Sequence, residues 1–467
     1  MPPPSDSLRT TLARHAPVSR QQLAERTGLP LRSLQRQLEA LGPELLAAGQ
    51  TRRRRFALRR ALRGLLFDEP VYAIDASGAV SQLGRLVPIR PEGCHLDLTA
   101  SLWPLGPSGA GEAREGWWPG LPYPLADARP QGFLGRLFAR RHARELQLDA
   151  DPTRWSDDAV LLALRSLGAD LPGNLVLGDA ALEQARAQWL QPPPTPESDA
   201  ELSARYADLA TRTMQEGIAG SSAAGEFPKF ITQRQLAGAA TPHCIVKFSG
   251  ADAGSATVQR WSDLLVCEHL ALQALALHTA LPVARSRILQ GGGRTFLESE
   301  RFDRHGRFGR SPVVSLQTVD AALLGHAGEW PQAGRALREV GFIRAETLQR
   351  IELLHAFGRL IANSDMHAGN LGLLPQRQAD GRSGFEMAPA YDMLPMAYAP
   401  LGGGELPQRE FTPPLPSPAQ ADVWRQALAA ATAFWAEAAQ DDRISNGFRA
   451  VAADNLQRLQ RAAELPL

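Results

Sequence analysis

Residues 361–393 hold the side chains in this chain best suited to chemistry: IANSDMHAGN, a short apolar run at 371–374, a polar turn, and then APAYDM. Asp365 and Asn370 stand five residues apart, and Asp392 follows Asn370 by 22. A carboxylate can orient or deprotonate an acceptor hydroxyl. An amide oxygen and a second carboxylate can hold Mg²⁺ on the phosphates of ATP, so this set has the parts that phosphoryl transfer needs. A polar loop after a helix, followed by an unrelated Tyr-Asp, fits the same letters, and the loop alone does not choose between the two.

Lysine usage adds to the first reading. Of 50 basic residues only Lys229 and Lys247 are lysines. Where arginine otherwise supplies the charge, a surviving lysine points to a site that needs a compact ammonium, such as one holding phosphates; codon bias with two chance survivors is the alternative. Lys229 ends a Gly/Ser-rich stretch, EGIAGSSAAGEFPKF at 216–230, where small residues let backbone N–H groups approach phosphates. This is not the Walker pattern, and most such loops merely connect. Lys247 lies in HCIVKF (243–248), which reads as a strand, and a lysine on a central strand is costly unless paired or facing a ligand. Glu268, in an expected helix at 261–278, is either its partner or an ordinary surface charge.

The elements that must position these groups follow from periodicity. Ile351, Leu354, Phe357 and Ile361 share one face of a helix at 346–361 that delivers the Asp365 loop. RTFLESERFDR at 294–304 reads as a strand leaving into a charged turn, and 418–463 as alanine-rich helix with Trp424, Phe434 and Trp435 as core candidates. His278, His326 and His355 are isolated and read as structural. Upstream, 69–190 reads as an α+β section with a hairpin around Ser77-Gly78 and an arginine-rich helix at 132–148, closed by a proline-rich linker at 191–200.

The front of the chain has a different character. Residues 1–65 carry 13 Arg against 4 acids, net +9, which leaves the remainder at −8 against a total of +1. One end suits a polyanion and the rest does not. A helix at 6–15, a capping box of Ser19 and Gln22 opening a second helix to Arg26, a turn at Gly28 and Pro30, and a third helix together spell a winged helix-turn-helix. Leu31, Leu34, Leu38 and Leu41 are expected to face inward, leaving Arg32, Ser33, Gln35, Arg36 and Gln37 outward toward base edges and phosphates. Arg52, Arg53, Arg54 and Arg55, with Phe56, Arg59 and Arg60, would form the wing. A small helical cap with a solvated basic face is the competing reading.

The three scattered cysteines, Cys94, Cys244 and Cys267, read as reduced thiols rather than staples or a zinc site. With no charged leader before an apolar run and no 18-residue apolar stretch, the expectation is a cytoplasmic protein without a membrane partner.

In order along the chain, the Gly/Ser loop ending in P-K, then I-V-K, E-R-F-D-R, N-S-D-M-H-A-G-N and A-P-A-Y-D-M resemble the HipA-like serine/threonine kinases, the toxins of toxin–antitoxin modules. The resemblance spans roughly 70–460. It implies an α+β, protein-kinase-like bilobal fold with a mainly helical C-terminal lobe, here preceded by the winged helix-turn-helix. The implied divisions are 1–65, 66–195 and 201–467. It also implies ATP and Mg²⁺ as cofactors, Asp365 as catalytic base, Asn370 and Asp392 as metal ligands, and Lys247 as phosphate contact. Ala224, Gly225 and Lys229 would belong to the phosphate loop, Glu300 and Phe302 to the hinge near adenine, and His367 to the nucleotide-contacting loop. Ser222 and Ser221 occupy the position that some members autophosphorylate.

The family's usual toxin lacks the winged helix and relies on a separate DNA-binding antitoxin. The implied partners are therefore DNA through 1–65, a protein substrate, an antitoxin as the family would have it, and a homodimer as winged-helix proteins often form. Two other functions stay open. SDMHAGN also resembles the D-x-H-x-x-N loop of small-molecule phosphotransferases, and a transcriptional regulator could use a kinase fold only to sense nucleotide.

Overall fold

The computed structural model describes residues 4–50, 53–106, 111–216, 226–325 and 328–465. They form two compact units. The first comprises 1–75, 79–129 and 155–190, and the second 76–78, 130–154 and 191–467. Both mix helix and sheet.

The first unit opens with α1 (Pro4–His15), β1 (Val18–Ser19), α2 (Arg20–Thr27), α3 (Leu31–Ala40), β2 (Leu45–Ala48) and β3 (Arg55–Leu58), the strands pairing antiparallel in the order β1-β3-β2. Ser19 and Gln22 make the expected capping box, and Gly28 ends α2 at φ 68°, a conformation that glycine adopts without strain. Leu8, Leu12, Leu23, Leu34, Leu38 and Phe56 form its core. Leu31 departs from expectation: it opens α3, one turn short of the buried Leu34, and is 54% exposed.

Behind this section lies a five-stranded antiparallel sheet containing β4 (Glu69–Ile74), β5 (Val80–Pro88), β6 (Cys94–His95), β7 (Trp117–Trp118) and β8 (Leu175–Leu177), ordered β8-β4-β5-β6-β7. The two sections share a core of Ala57, Ile89 and Trp117, and Arg90 N–H donates to Leu58 O at 2.9 Å. Arg59 and Arg60, read as wing cations, are instead drawn into ion pairs with Asp68 (2.6 Å) and Asp158 (2.9 Å).

In the second unit a four-stranded antiparallel sheet runs β9 (Lys229–Gln233), β10 (His243–Phe248), β12 (Arg294–Glu300), β11 (Ser286–Gly291). One face packs Phe230, Cys244, Val246, Phe248 and Phe296 against Leu202, Tyr206 and Ala210 of a helix at Asp199–Gln215. Strand alternation turns Lys247 to the other face. The long helix Ala256–His278 brings Glu268 there, and the helix Ala345–Leu360 carries the Asp365 loop at its C-terminal end. The C-terminal region is two helices, Ala421–Ala438 and Asn446–Ala463, and the Trp435 indole donates to Leu360 O at 3.1 Å. Residues 130–154, including the arginine-rich helix Gly132–Leu146, also belong to this unit.

The sheet is braced by a buried ionic network. Glu298 accepts from Arg234 (2.7 Å), Tyr206 OH (2.6 Å) and Arg287 (3.0 and 3.1 Å), with both Arg234 and Glu298 only 1% exposed. Burial alone would push Glu298 up, but the hydrogen bonds from Arg287, Tyr206 and Arg234 outweigh it and hold its pKa below the ordinary carboxylate value. Such a group stabilises the fold above its unfolded pKa, and the contribution is lost as pH falls through the lower folded value. Arg234→Met should therefore destabilise the protein by about 3–5 kcal/mol at neutral pH, read from chemical unfolding, whereas a cost under about 1 kcal/mol would contradict this account of the network.

Candidate active site

The site is built around Lys247. Its Nζ lies 2.8 and 2.7 Å from the two oxygens of Glu268 and also donates to Asp392 Oδ1. Asp392 N–H closes the triangle by donating to Glu268 Oε1 at 3.2 Å. Asp392 sits at φ 53°, in the left-handed region that Asp tolerates better than most residues, and Asn363 Nδ2 holds its carbonyl at 3.2 Å. One ammonium thus serves two carboxylates. Burial works against the charge on Lys247, but Asp392 and Glu268 outweigh it and keep the lysine protonated well above its usual range. Burial raises Glu268, whereas Lys247 and then Lys229 outweigh burial at Asp392 and lower it.

The Asp365 loop is set by backbone bonds. The chain leaves its helix through Ala362 at φ 56°, with Asn363 N–H bonded to Gly358 O at 2.9 Å. Asn363 Oδ1 then accepts from Asp365 N–H at 3.0 Å, a two-residue Asx closure. Asn370 Nδ2 donates to Asp365 O at 2.9 Å, so the amide oxygen is the end of that side chain left for a cation. His367 Nδ1 accepts from Gly369 N–H at 3.0 Å, which places the proton of the neutral ring on Nε2, 4.0 Å from Asp365 Oδ1. The buried Trp330 indole anchors His367 O at 3.0 Å. Burial raises Asp365 above the ordinary carboxylate value; Asp392 adds to this, while His367, Asn370 and Lys247 oppose it.

The two lysines stand directly opposite each other, Lys229 on β9 paired with Lys247 on β10. Like charges at such positions repel, so the arrangement needs anions between or beside them. Glu226 supplies one at 3.1 Å from Lys229. Phe302 stacks on Tyr391 with centroids 5.7 Å apart, and Tyr391 OH donates to Gly369 O at 3.4 Å, joining the end of β12 to the Asp365 loop.

Glu300 departs from this convergence. Its pairing with Cys244 puts its side chain on the face opposite Lys247, where it accepts from Arg234 (3.0 Å) and Ala240 N–H (3.3 Å). Only its backbone can serve a hinge. Ser221, Ser222, Ala224, Gly225 and Arg52 lie outside the described residues. Among the described residues no group of three or more His, Cys, Asp and Glu gathers as a metal cage.

Of the DNA-reading candidates, Arg32, Arg36, Arg53 and Arg54 are exposed and Ser33 is half-buried. Gln35 is bonded to Glu39 at 2.6 Å, and Arg55 is partly covered by Glu115 at 3.5 Å. Sequence reasoning missed Asn363, Tyr391, Trp330 and Glu226. The N-S-D spelling carried a signal for Asn363, since Asn tends to bond the backbone two residues on.

Replacing Lys247 by Met would leave Glu268 and Asp392 facing each other without a counter-charge. Glu268, already raised, then rises further and Asp392 loses the lysine that lowers it, so the variant loses stability as pH increases from the unfolded values toward the folded ones. Lys247→Met should cost about 3–5 kcal/mol at pH 7 and progressively less toward about pH 5, measured by unfolding at each pH; a cost that does not vary with pH contradicts the triangle.

Comparison with known proteins agrees with the motif order. Residues 67–186 match the family described as YjjJ-like toxin, middle domain, and 221–457 match the HipA-like C-terminal domain. Toxin YjjJ of Escherichia coli (strain K12) is 34% identical over 457 residues, covering 97% of this chain and 98% of that protein. Among solved structures, the Shewanella oneidensis MR-1 HipA in complex with HipB and operator DNA aligns at 16% identity and TM-score 0.46, covering 86% of this chain and 96% of that one. The Helicobacter pylori proinflammatory kinase CtkA aligns at 12% identity and TM-score 0.33, covering 47% and 86%. The coverage and identity to Toxin YjjJ, with the C-terminal domain match, place this chain in the HipA-like toxin family.

Proposed function

We propose that this chain is an ATP- and Mg²⁺-dependent kinase that phosphorylates a serine or threonine hydroxyl of a protein. The observation that carries the reading is Lys247 bridging Glu268 and Asp392 beside the Asp365–Asn370 loop. Asp365 orients the acceptor hydroxyl and takes its proton as the hydroxyl oxygen bonds the γ-phosphorus and the bond from that phosphorus to the β–γ bridging oxygen breaks, ADP leaving with that oxygen. Burial raises its pKa, which makes it a better base than an ordinary Asp. Asn370 and Asp392 would hold Mg²⁺, which supplies charge neutralisation on the phosphates. Lys247 and Lys229 neutralise the rest, Lys247 turning from Asp392 to phosphate oxygen while Glu268 keeps its place. The backbone at Glu300 and the Phe302–Tyr391 pair would border the adenine, with His367 near the phosphates. Ser222 and Ser221 are the proposed autophosphorylation positions.

Asp365→Asn and Asp392→Asn should each abolish transfer of labelled γ-phosphate from ATP by purified protein, and retained transfer in either removes the assignment. The acidic limb of the wild-type rate profile should lie above the ordinary Asp value of about 3.9. Label on a metabolite with none on protein would favour a small-molecule phosphotransferase instead.

The order α1-β1-α2-α3-β2-β3, with Arg32, Arg36, Arg53 and Arg54 exposed, supports a DNA-reading module at 1–65. DNA affinity should fall steeply with salt and vanish on deleting 1–65; absent or salt-independent binding by the full chain would refute this part. Operator binding altered by ATP without turnover would favour a nucleotide-sensing regulator. Toxicity, by analogy with the relative named a toxin, a cytoplasmic location, an antitoxin partner and dimerisation belong to the same proposal.

A further inference from the structure

Glu226 lies three residues before Lys229, inside the Gly/Ser stretch at 216–230, and has no role in the reading above. Its Oε1 accepts from Phe133 N–H at 2.8 Å and from Lys229 Nζ at 3.1 Å, and its Oε2 from Arg136 at 3.0 Å. Phe133 and Arg136 stand in the first turns of the helix Gly132–Leu146, within the stretch that matches the YjjJ-like middle domain. Gly132, at φ 60°, runs close beside this carboxylate: a Cβ there would stand 2.8 Å from Glu226 Oε1. The same helix holds Glu216, whose oxygens accept from Arg141 at 2.6 and 2.9 Å. Burial raises Glu226, but Lys229, the Phe133 N–H and Arg136 outweigh it, so the group is ionised at neutral pH.

The charges explain why such a tie is needed. Lys247 has Glu268 and Asp392, whereas Lys229, directly opposite it, is held by Glu226. Without that carboxylate, Lys229 loses the bonded partner that fixes its ammonium and keeps only the longer-range attraction of Asp392. We propose that Glu226 is a positioning residue for nucleotide binding. Fixed by Arg136 and the N-terminal N–H of the helix, it holds the Lys229 ammonium beside Lys247, so that both meet the phosphates without a reordering cost. A helix from the middle-domain stretch thereby sets the phosphate end of the site. The inference rests on the nucleotide reading above and adds to it a residue that touches no substrate.

Because the chain has only two lysines, an amine-acylating reagent followed by peptide mass spectrometry reads each of them separately. In nucleotide-free protein, Glu226→Gln should raise acylation of Lys229 about threefold or more and leave Lys247 unchanged. The same variant should raise KM for ATP about fivefold with kcat within about twofold of wild type. In a Lys229→Met background the substitution should have no further effect on KM, since its action passes through that lysine. Arg136→Gln, which loosens the anchor but keeps the carboxylate, should shift both readouts in the same direction by less, and it stands in should Glu226→Gln fail to fold.

Unchanged acylation in a protein that binds ATP normally overturns the tie and leaves the kinase reading intact. Faster acylation with an unchanged or lower KM overturns positioning, because Glu226 would then be idle or would compete with the phosphates. A wild-type protein that does not bind ATP rejects the nucleotide reading, and with it this purpose for the tie, even if acylation rises.

Discussion

An ammonium shared between two carboxylates is the constraint on which the second unit turns. Glu268 is buried and Asp392 half-buried, and both depend on Lys247: removing the ammonium leaves two carboxylates together with no counter-charge. The triangle draws on a central strand, a long helix and the turn after Tyr391, so it fixes three distant parts of the chain to within a hydrogen bond. It also carries one negative charge more than it needs, which makes it receptive to a further cation. Phosphates could relieve Lys247 of one carboxylate while a metal takes up the other.

Everything around the triangle makes it stiff. On the reverse face of the sheet, Glu298 is clamped by Arg234, Arg287 and Tyr206, which fixes β12 against its neighbours. The Asp365 loop is tied by Asn363, Asn370 and the Trp330 indole, largely through backbone atoms, so its shape depends little on what binds. Preorganisation of this kind removes ordering costs from the reacting state. The left-handed conformations of Ala362 and Asp392 are held by these same bonds.

Much of this could be read from the letters. A lysine in an arginine-rich chain, set on an apolar strand, demanded a counter-charge, and Glu268 was a candidate on the helix that follows. The Asp365, Asn370 and Asp392 spacing suggested the remaining groups. Register was harder to see: nothing in ERFDR says that Glu300 pairs with Cys244 and so turns its carboxylate to Arg234. Contacts between distant segments were also hidden, which is why Glu226 passed unnoticed. At the front of the chain the capping box and leucine stripe marked the helices, but Leu31 at the start of α3 escaped burial and Arg59 and Arg60 found acidic partners. Helical periodicity cannot report either outcome, because it carries no information about what lies opposite.

The most direct test of the convergence is a crystal structure with Mg²⁺ and a non-hydrolysable ATP analogue. The account predicts a nucleotide with its phosphates against Lys247 and Lys229, Asn370 and Asp392 on the metal, Asp365 facing the γ-phosphate, and Lys247 released from Asp392 but still on Glu268. A nucleotide bound elsewhere, or a Lys247–Asp392 pair left intact with the phosphates out of reach, would contradict it.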